Sequence, residues 1–163
     1  MLRRSLIALA ILVMLPAAAS AGSFTYYGPQ LGFSQSPDQL VVGGHLKWNM
    51  VSPRLDFVPG VDLGFGDNTS LVSLNGDFHY RIVSGARWQP YVGGGAGMHF
   101  SSVDHTNRNN VTTTTRSEQT GPHFIVGAGV PTEGRNRFFT ELKLGFGDSP
   151  GMKVMAGWNY RAR

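Results

Sequence analysis

Charged and histidine side chains recur at every second position along several stretches of the chain, and they are the groups that could do chemistry. The set comprises Lys47, Asp56, Asp62, Asp77, His79, Arg81, Glu141, Lys143 and Lys153, together with His45, His99, His123, Arg137 and Arg161. Carboxylates and histidines can act as general acids and bases or bind a metal, and carboxylates can form buried ion pairs with lysine or arginine. Which chemistry applies depends on the elements that hold these side chains.

Two patterns bear on a reactive site. His99 and Ser101 have the His-x-Ser spacing of residues that act with a carboxylate in acyl transfer. His99 and His123, with Asp104 and His105, could hold a divalent ion. Their spacing matches no metal motif, so we expect polar-core or loop histidines, with no metal and no cofactor.

Eight segments with a period of two residues carry these side chains. They span residues 26–36, 39–50, 55–66, 70–82, 87–100, 123–130, 136–146 and 152–161. In every segment one parity is mostly apolar and carries no charge, and every strand charge falls on the other parity. Strand side chains alternate between two faces in this way. Turn residues, such as Gly66-Asp67-Asn68, separate the segments.

The stretch RWQPYVGGGAGMHF, from Arg87 to Phe100, combines this alternation with several glycines. Gly93, Gly95 and Gly97 share its polar face. Glycine weakens a strand because it packs no side chain, so something facing these positions must exclude bulk. Charged side chains inside a narrow barrel would do so, since an eight-stranded barrel has room only for packed side chains.

Parity alone leaves two orientations of the faces open. A soluble lipocalin-like barrel would turn the apolar face inward, whereas a membrane barrel would turn it toward lipid. The glycines lie on the charged face, where they would make room in a lumen, and segments of about ten residues suit tilted transmembrane strands. The sequence therefore predicts an all-β fold, an eight-stranded antiparallel up-and-down transmembrane β-barrel.

Aromatic residues sort by strand end in a way that favours the membrane orientation. Because neighbouring strands alternate in direction, all three tryptophans fall at one rim. The predicted membrane-interface girdles comprise Trp48, Tyr80, Trp88, Trp158 and Tyr160 at that rim, and Phe65, Phe100 and Phe146, with Phe33 and Phe124, at the other. Two such girdles are typical of an outer-membrane barrel.

The N-terminus has a secretory pattern, with Arg3 and Arg4 before an apolar core and Ala19-Ser20-Ala21 as a cleavage site. We expect a signal peptide over residues 1–21 and an outer-membrane β-barrel domain over 22–163. An uncleaved anchor helix is the alternative, but an apolar core of about ten residues is short of the roughly 20 that span a membrane. The chain has no cysteine, which excludes disulfides, and no basic run that would indicate nucleic-acid binding.

One long polar connection, residues 102–121, separates the fifth and sixth segments. If both termini are periplasmic, this connection lies on the outer side, where such barrels have their longer loops. Its Thr112 to Thr115 run could extend as a β-ribbon or stay a mobile tether. Arg108 and Arg116 could pair with lipopolysaccharide phosphates, and the loop could contact an extracellular ligand.

PYVGGGAG after a short turn, the eight alternating segments and the signal peptide together resemble the small OmpA/OmpX-like outer-membrane barrels, over essentially the whole mature chain. The resemblance implies a Gram-negative outer membrane, contact with outer-membrane lipid and lipopolysaccharide, and folding by the outer-membrane assembly machinery. In such barrels that machinery reads a terminal aromatic. Here Tyr160 shares the parity of Trp158, but Arg161-Ala162-Arg163 follow it.

We interpret the predicted lumen as a structural polar core in which Lys153 is placed to reach Glu141. The expected role is structural or surface interaction, without catalysis. A small-solute conduit gated by rearranging ion pairs is the first alternative. A lipid-modifying enzyme is the second, although an outer-membrane deacylase would carry His-x-Ser on a late strand, where this chain reads ELKLG from Glu141 to Gly145.

Overall fold

The computed structural model describes residues 23–36, 38–50, 52–66, 69–106, 112–132 and 134–162. The predicted signal peptide, residues 1–21, and Arg108 lie outside these residues. The strands are β1 (Ser23–Gln35), β2 (Gln39–Asn49), β3 (Leu55–Gly66), β4 (Thr69–Arg81), β5 (Gln89–Thr106), β6 (Thr112–Pro131), β7 (Arg137–Gly145) and β8 (Met152–Arg161). Among the described residues, no helix is long and apolar enough to cross a membrane.

The eight strands form a closed antiparallel barrel, in which each strand pairs with its sequence neighbours and β8 pairs with β1. Paired residues lead from Asn49 of β2 once around the barrel and back to Gln39 of the same strand, ten residues away. This displacement shows that the strands are inclined to the barrel axis, as closure requires. The prediction of an eight-stranded antiparallel up-and-down barrel is confirmed.

The two ends of the barrel differ in the elements that meet there. The terminal end carries the start of β1, the end of β8 and the β2–β3, β4–β5 and β6–β7 connections. The far end carries the β1–β2, β3–β4, β5–β6 and β7–β8 connections. Neither name depends on the orientation of the barrel in a membrane.

The β5–β6 hairpin differs most from the sequence-based expectation. β5 continues to Thr106 and β6 begins at Thr112, and these ends pair with each other inside the predicted loop 102–121. The ladder from β4 to β5 stops at Val103, and the ladder from β6 to β7 stops at His123. The expectation of a loop over 102–121 is therefore wrong, and the ribbon alternative is right, because β-branched threonines suit extended pairing.

Alternation along the strands places apolar side chains on the outer surface and polar ones inside. Exposed outer residues include Leu31, Phe33, Leu40, Val42, Leu63, Leu74, Val126 and Val154. Inside, the charged residues Asp62, Asp77 and Lys153 are no more than 4% exposed. A soluble lipocalin-like barrel would have the opposite arrangement, so that alternative is wrong. An apolar outer surface around a polar interior is the arrangement of a transmembrane barrel.

The glycines on the inner face of β5 stand where other side chains already fill the lumen. A Cβ at Gly95 would overlap Asp77 Oδ1, and a Cβ at Gly97 would lie 2.7 Å from His99 Cε1. On the outer face, a Cβ at Gly94 would meet nothing nearer than 3.4 Å. The glycine-rich middle of β5 therefore makes room for the lumen side chains.

Candidate functional site

Three buried aspartates organise the charged interior of the barrel. They are Asp56, Asp62 and Asp77, each no more than 2% exposed. Each lies within 4 Å of at least one lysine or arginine nitrogen from another strand. Because a buried charge without a partner is costly, these contacts decide how the lumen side chains are arranged.

The Asp77 cluster crosses the middle of the lumen. The Asp77 carboxylate on β4 lies 2.6 Å from Lys143 Nζ on β7 and 2.7 Å from His123 Nε2 on β6. Lys143 also lies 3.4 Å from Glu141, which accepts a hydrogen bond from the Tyr91 hydroxyl at 2.9 Å. Four strands, β4 to β7, are thus connected by side chains as well as by backbone hydrogen bonds.

The Asp62 cluster lies nearer the far end. The Asp62 carboxylate on β3 accepts hydrogen bonds from Gln30 Nε2 at 2.6 Å and from Asn75 Nδ2 at 2.8 Å. Lys153 Nζ on β8 lies 3.4 Å from the same carboxylate. One charged and two neutral donors therefore surround a carboxylate that is almost fully buried, as a buried anion needs.

Lys153 pairs with Asp62 and not with Glu141, so the expected Lys153–Glu141 contact is wrong. In the β7–β8 register Lys153 stands opposite Lys143. Two ammonium groups at adjacent positions repel each other, which favours separate carboxylates for the two lysines. Lys143 takes Glu141 and Asp77, and Lys153 reaches across the lumen to β3.

The Asp56 cluster lies at the terminal end. Asp56 on β3 lies 3.3 Å from Lys47 Nζ on β2 and 3.2 Å from Arg81 Nε on β4. Asn49 Nδ2 donates to the same carboxylate at 3.1 Å. Arg81 also donates to the Pro53 carbonyl in the β2–β3 connection. The cluster therefore ties a turn of the barrel to its lumen.

Two further arginines were expected in the lumen. Arg137 is half-buried, donates to Gln89 Oε1, and lies 5.9 Å from the centroid of the Tyr26 ring. Arg161 is exposed at the end of β8, so its expected lumen position is wrong. The reason is its place at the last residue of the last strand, where the inner face opens to solvent.

The histidines do not form the reactive pairs that their spacing in the sequence suggested. His99 Nδ1 lies 2.9 Å from Ser73 Oγ on β4, whereas Ser101 Oγ lies 3.5 Å from a backbone carbonyl of β6. Among the described residues, no three of the His, Cys, Asp and Glu side chains are grouped to hold a metal. The side chains of Asp104 and His105 lie outside the part that the structure describes.

Two adjoining cavities occupy the terminal half of the lumen. The inner cavity has a volume of about 40 Å³ and the mouth cavity about 50 Å³. Each has room for about three or four water molecules. The residues that line both cavities are Lys47, Arg81, Gln89, Arg137 and Asn159.

His79 lines the inner cavity and is 4% exposed. Its ring stacks on Tyr91 at a centroid distance of 4.7 Å. Neither of its ring nitrogens has a hydrogen-bond partner among the described residues. Toward the far end, by contrast, the lumen is packed with nearly inaccessible side chains, which include Ser34, Gln39, Val41, Leu71 and Ser73.

A band of neighbouring aromatic rings runs along the outer surface at the terminal end. Centroid distances are 6.1 Å for Tyr27–Tyr160, 6.4 Å for Phe24–Tyr27, 5.2 Å for Phe24–Trp48, 6.5 Å for Trp48–Phe57 and 5.1 Å for Phe57–Phe78. Trp158 packs beside Phe138 at 5.0 Å. The other residues of the predicted girdles are exposed: Tyr80, Trp88, Phe33, Phe65, Phe100, Phe124 and Phe146.

Several residues of the lumen and of the aromatic band were not predicted from the sequence. Tyr91, Gln30 and Asn75 have the parity of the inner face, but their hydrogen-bond partners lie on other strands. Phe24 and Phe57 flank Trp48 only because of the β1–β2 and β2–β3 registers. Parity in the sequence indicates on which face of a strand each of these residues lies. Their contacts depend on the register between strands.

No protein-family model matches the sequence, and no curated protein sequence is similar to it. The structure is similar to that of Neisserial surface protein A, with a TM-score of 0.66 and 10% identity over 85% of this chain and 96% of that chain. The N-terminal β-barrel domain of Pseudomonas aeruginosa OprF gives 0.59 and 15%, over 85% and 99%. Ail, the attachment invasion locus protein of Yersinia pestis, gives 0.54 and 13%, over 87% and 99%.

These likenesses agree with the barrel closure, with the apolar outer surface and with the resemblance inferred from the sequence. The chain has the fold of the small eight-stranded outer-membrane β-barrels.

Proposed function

We propose that this protein is an integral outer-membrane protein of a Gram-negative bacterium, with a structural or surface-interaction role, no catalytic activity and a lumen closed by ion pairs. Residues 1–21 serve as its export signal, and the outer-membrane assembly machinery folds it. The terminal end faces the periplasm and the far end faces outward. Outer-membrane lipid and lipopolysaccharide surround it.

The observation that carries this proposal is the sorting of apolar side chains to the outer surface. Exposed residues such as Leu31 and Phe33 would each cost about 1.5–3 kcal/mol in water relative to burial, and a bilayer removes that cost. On the same surface, Phe100 of β5 stands opposite Glu118 of β6, and Arg116 lies two residues further toward the far end. The outer face thus changes from apolar to charged where β5 and β6 rise beyond their other neighbours, which supports a hydrocarbon boundary at that level.

The lumen supports a structural role better than transport. The Asp77 and Asp62 clusters link side chains of several strands across the interior. Opening a path past them would separate buried ion pairs at a cost of several kcal/mol each. The ion pairs therefore stabilise one closed arrangement.

The β5–β6 ribbon supports a surface-interaction role. Residues 115–120 of β6 are exposed and pair with β5 alone. A strand edge of this kind can add an extended segment of a ligand through backbone hydrogen bonds. Arg116 could pair with a lipopolysaccharide phosphate on the same surface. We propose an extracellular ligand that contacts the segment from 102 to 121.

The experiment that tests membrane integration is cell fractionation followed by gel electrophoresis of boiled and unboiled samples. A fast-migrating unboiled band in the outer-membrane fraction is expected, because a closed barrel resists detergent. A soluble periplasmic protein without a shift between the two bands would contradict the proposal. Release of acyl chains from lipid A by the purified protein would contradict the absence of catalysis.

The proposed orientation has its own test, because the chain has no cysteine and single cysteines can be introduced without interference. Ser117→Cys places a thiol on the exposed ribbon, and Gly85→Cys places one in the exposed β4–β5 connection. A membrane-impermeant maleimide should label the first variant in intact cells and the second only after the outer membrane is opened. The reverse labelling pattern would show that the barrel has the opposite orientation in the membrane.

A small-solute pore is the second candidate, favoured by the two cavities in the terminal half of the lumen. Planar-bilayer recordings separate the candidates. We expect no steady conductance from the purified protein, since the far half of the lumen is packed. Steady single-channel currents would show that the ion pairs rearrange and would favour the pore over the structural role.

A further inference from the structure

The terminal half of the lumen holds more cations than anions, and the excess faces the mouth cavity. Lys47, Arg81 and Arg137 line this cavity, and Asp56 is the carboxylate in its lining. Asp56 is shared between Lys47 and Arg81. The single negative charge therefore offsets one of three positive charges among the lining residues.

Of the three cations that line the mouth cavity, Arg137 has no carboxylate partner among the described residues, whereas Lys47 and Arg81 share Asp56. Its guanidinium donates to the neutral Gln89 amide oxygen and lies over the Tyr26 ring. A guanidinium has five N–H donors, so most of its hydrogen-bonding capacity is left for another acceptor. Arg81 also has a donor left for another acceptor, because its Nε lies 3.2 Å from Asp56 without forming a hydrogen bond there.

The inner cavity supplies an independent observation. His79 and His45 both line it and are at least nine-tenths buried. The two ring nitrogens of His79 and Nδ1 of His45 have no partner among the described residues. Buried polar groups are normally satisfied by protein atoms or by ordered water, so these atoms indicate a bound species in the cavity.

We propose that the mouth cavity binds one small tetrahedral oxyanion of the phosphate class, held by Arg137, Arg81 and Lys47, with water in the inner cavity linking it to His79. Guanidinium groups bind such oxyanions through paired, charge-assisted hydrogen bonds. A cavity with room for about three or four water molecules can hold an anion of this size. Bound there, the anion neutralises charge that no lining carboxylate offsets.

Access to the site is through the terminal end. The side chains of Arg81 and Lys47 are 27% and 14% exposed, so the cavity reaches solvent. Further exposed arginines surround the same end: Arg54, Arg87, Arg135 and Arg161. Their combined field would speed the arrival of anions at the mouth, while salt screens the contribution of any single exposed arginine. The inference does not depend on which side of the membrane this end faces.

The test uses the full mature barrel in phosphatidylcholine nanodiscs, labelled with ¹⁵N for NMR of the arginine Nε groups. Inorganic phosphate is titrated at constant ionic strength. Saturable shifts of the Arg137 and Arg81 signals are expected. Arg137→Gln should weaken phosphate binding by about tenfold or more, since a hydrogen bond to a charged group is lost. Arg87→Gln, which removes an exposed charge outside the lumen, should leave the affinity within about twofold.

Three results would overturn the site: no saturable shift at millimolar phosphate, unchanged binding by Arg137→Gln, or equal loss from Arg87→Gln. If Arg137→Gln does not fold, Arg137→Lys replaces it in the test, because lysine keeps the charge but lacks the paired N–H donors of the guanidinium. Unchanged phosphate binding by Arg137→Lys would also count against the site. Nanodiscs with phosphatidylglycerol separate the sources of the oxyanion. A shift already present without phosphate identifies a lipid headgroup, and an unchanged phosphate titration identifies the free anion. Both of these results keep the oxyanion site.

Discussion

Lys143 Nζ on β7 lies 2.6 Å from Asp77 Oδ2 on β4, so one ion pair joins two strands that are not neighbours in the barrel. The two side chains are 7% and 2% exposed, and each charge is removed from water on folding. Such a pair is weak evidence for added stability, but the loss of one partner leaves an uncompensated buried charge. The contact therefore makes the lumen sensitive to single charge changes.

Asp77→Asn should lower the free energy of unfolding by about 3–5 kcal/mol, because Lys143 would keep its charge beside Glu141 alone. Urea unfolding of the protein folded into lipid vesicles measures this change. The double variant Asp77→Asn with Lys143→Met should recover part of the loss, since the unpaired ammonium is removed.

Asp148→Asn is the matched control for that experiment, because Asp148 is exposed in the β7–β8 connection. Its effect should stay within about 0.5 kcal/mol. If Asp77→Asn were as mild as this control, the ion pair would not organise the lumen.

Two glycines of β6 on the inner face should respond differently to alanine. A Cβ at Gly127 would lie 2.5 Å from the Tyr91 hydroxyl oxygen, and Tyr91 is held by Glu141 and by stacking on His79. A Cβ at Gly129 would meet nothing nearer than 3.8 Å, beside the inner cavity.

Gly127→Ala should therefore cost about 1–3 kcal/mol of stability through overpacking. Gly129→Ala should change stability little, or raise it by up to about 1 kcal/mol, because alanine loses less backbone entropy than glycine. Urea unfolding in vesicles compares the pair. Equal effects of the two substitutions would argue that Tyr91 moves freely.

The aromatic band predicts unequal roles for two tryptophans at one rim. Trp48 packs between Phe24 and Phe57, whereas Trp88 is half exposed and belongs to no aromatic pair among the described residues. Trp48→Leu should cost about 1–2 kcal/mol more than Trp88→Leu, since aromatic pairs contribute about 0.5–1.5 kcal/mol each beyond burial. Circular dichroism during urea unfolding tests the order, and a larger loss at Trp88 would refute it.

Ser36 has a φ of 64° in the β1–β2 connection, a left-handed conformation that costs a non-glycine residue about 1–2 kcal/mol. Ser36→Gly should raise the unfolding free energy by up to about that amount. Gly147 has a φ of 65° with open space around it, so Gly147→Ala should show the opposite sign. Two changes of the same sign would contradict the strain argument.

Much of the architecture could be read from parity. Charged residues such as Asp62 and Lys153 alternate with apolar neighbours, and an alternating side chain has only two faces to choose from. Glycines on the charged face then favoured a crowded lumen, and closure removed the free strand edges that lipid does not tolerate. The β5–β6 segment was misjudged, because a polar, threonine-rich stretch has the composition of a loop whether or not it pairs.

The sequence by itself therefore determined the number of strands, the two faces and most of the charged residues that enter the lumen. Tertiary structure decided which side chains contact each other: Lys153 with Asp62 instead of Glu141, His99 with Ser73 instead of Ser101, and Arg137 with Gln89 instead of any carboxylate of the described residues. The physical reason is register and closure. Parity is a local property of each strand, whereas partners across a lumen depend on how far every strand is displaced along its neighbours around the whole barrel.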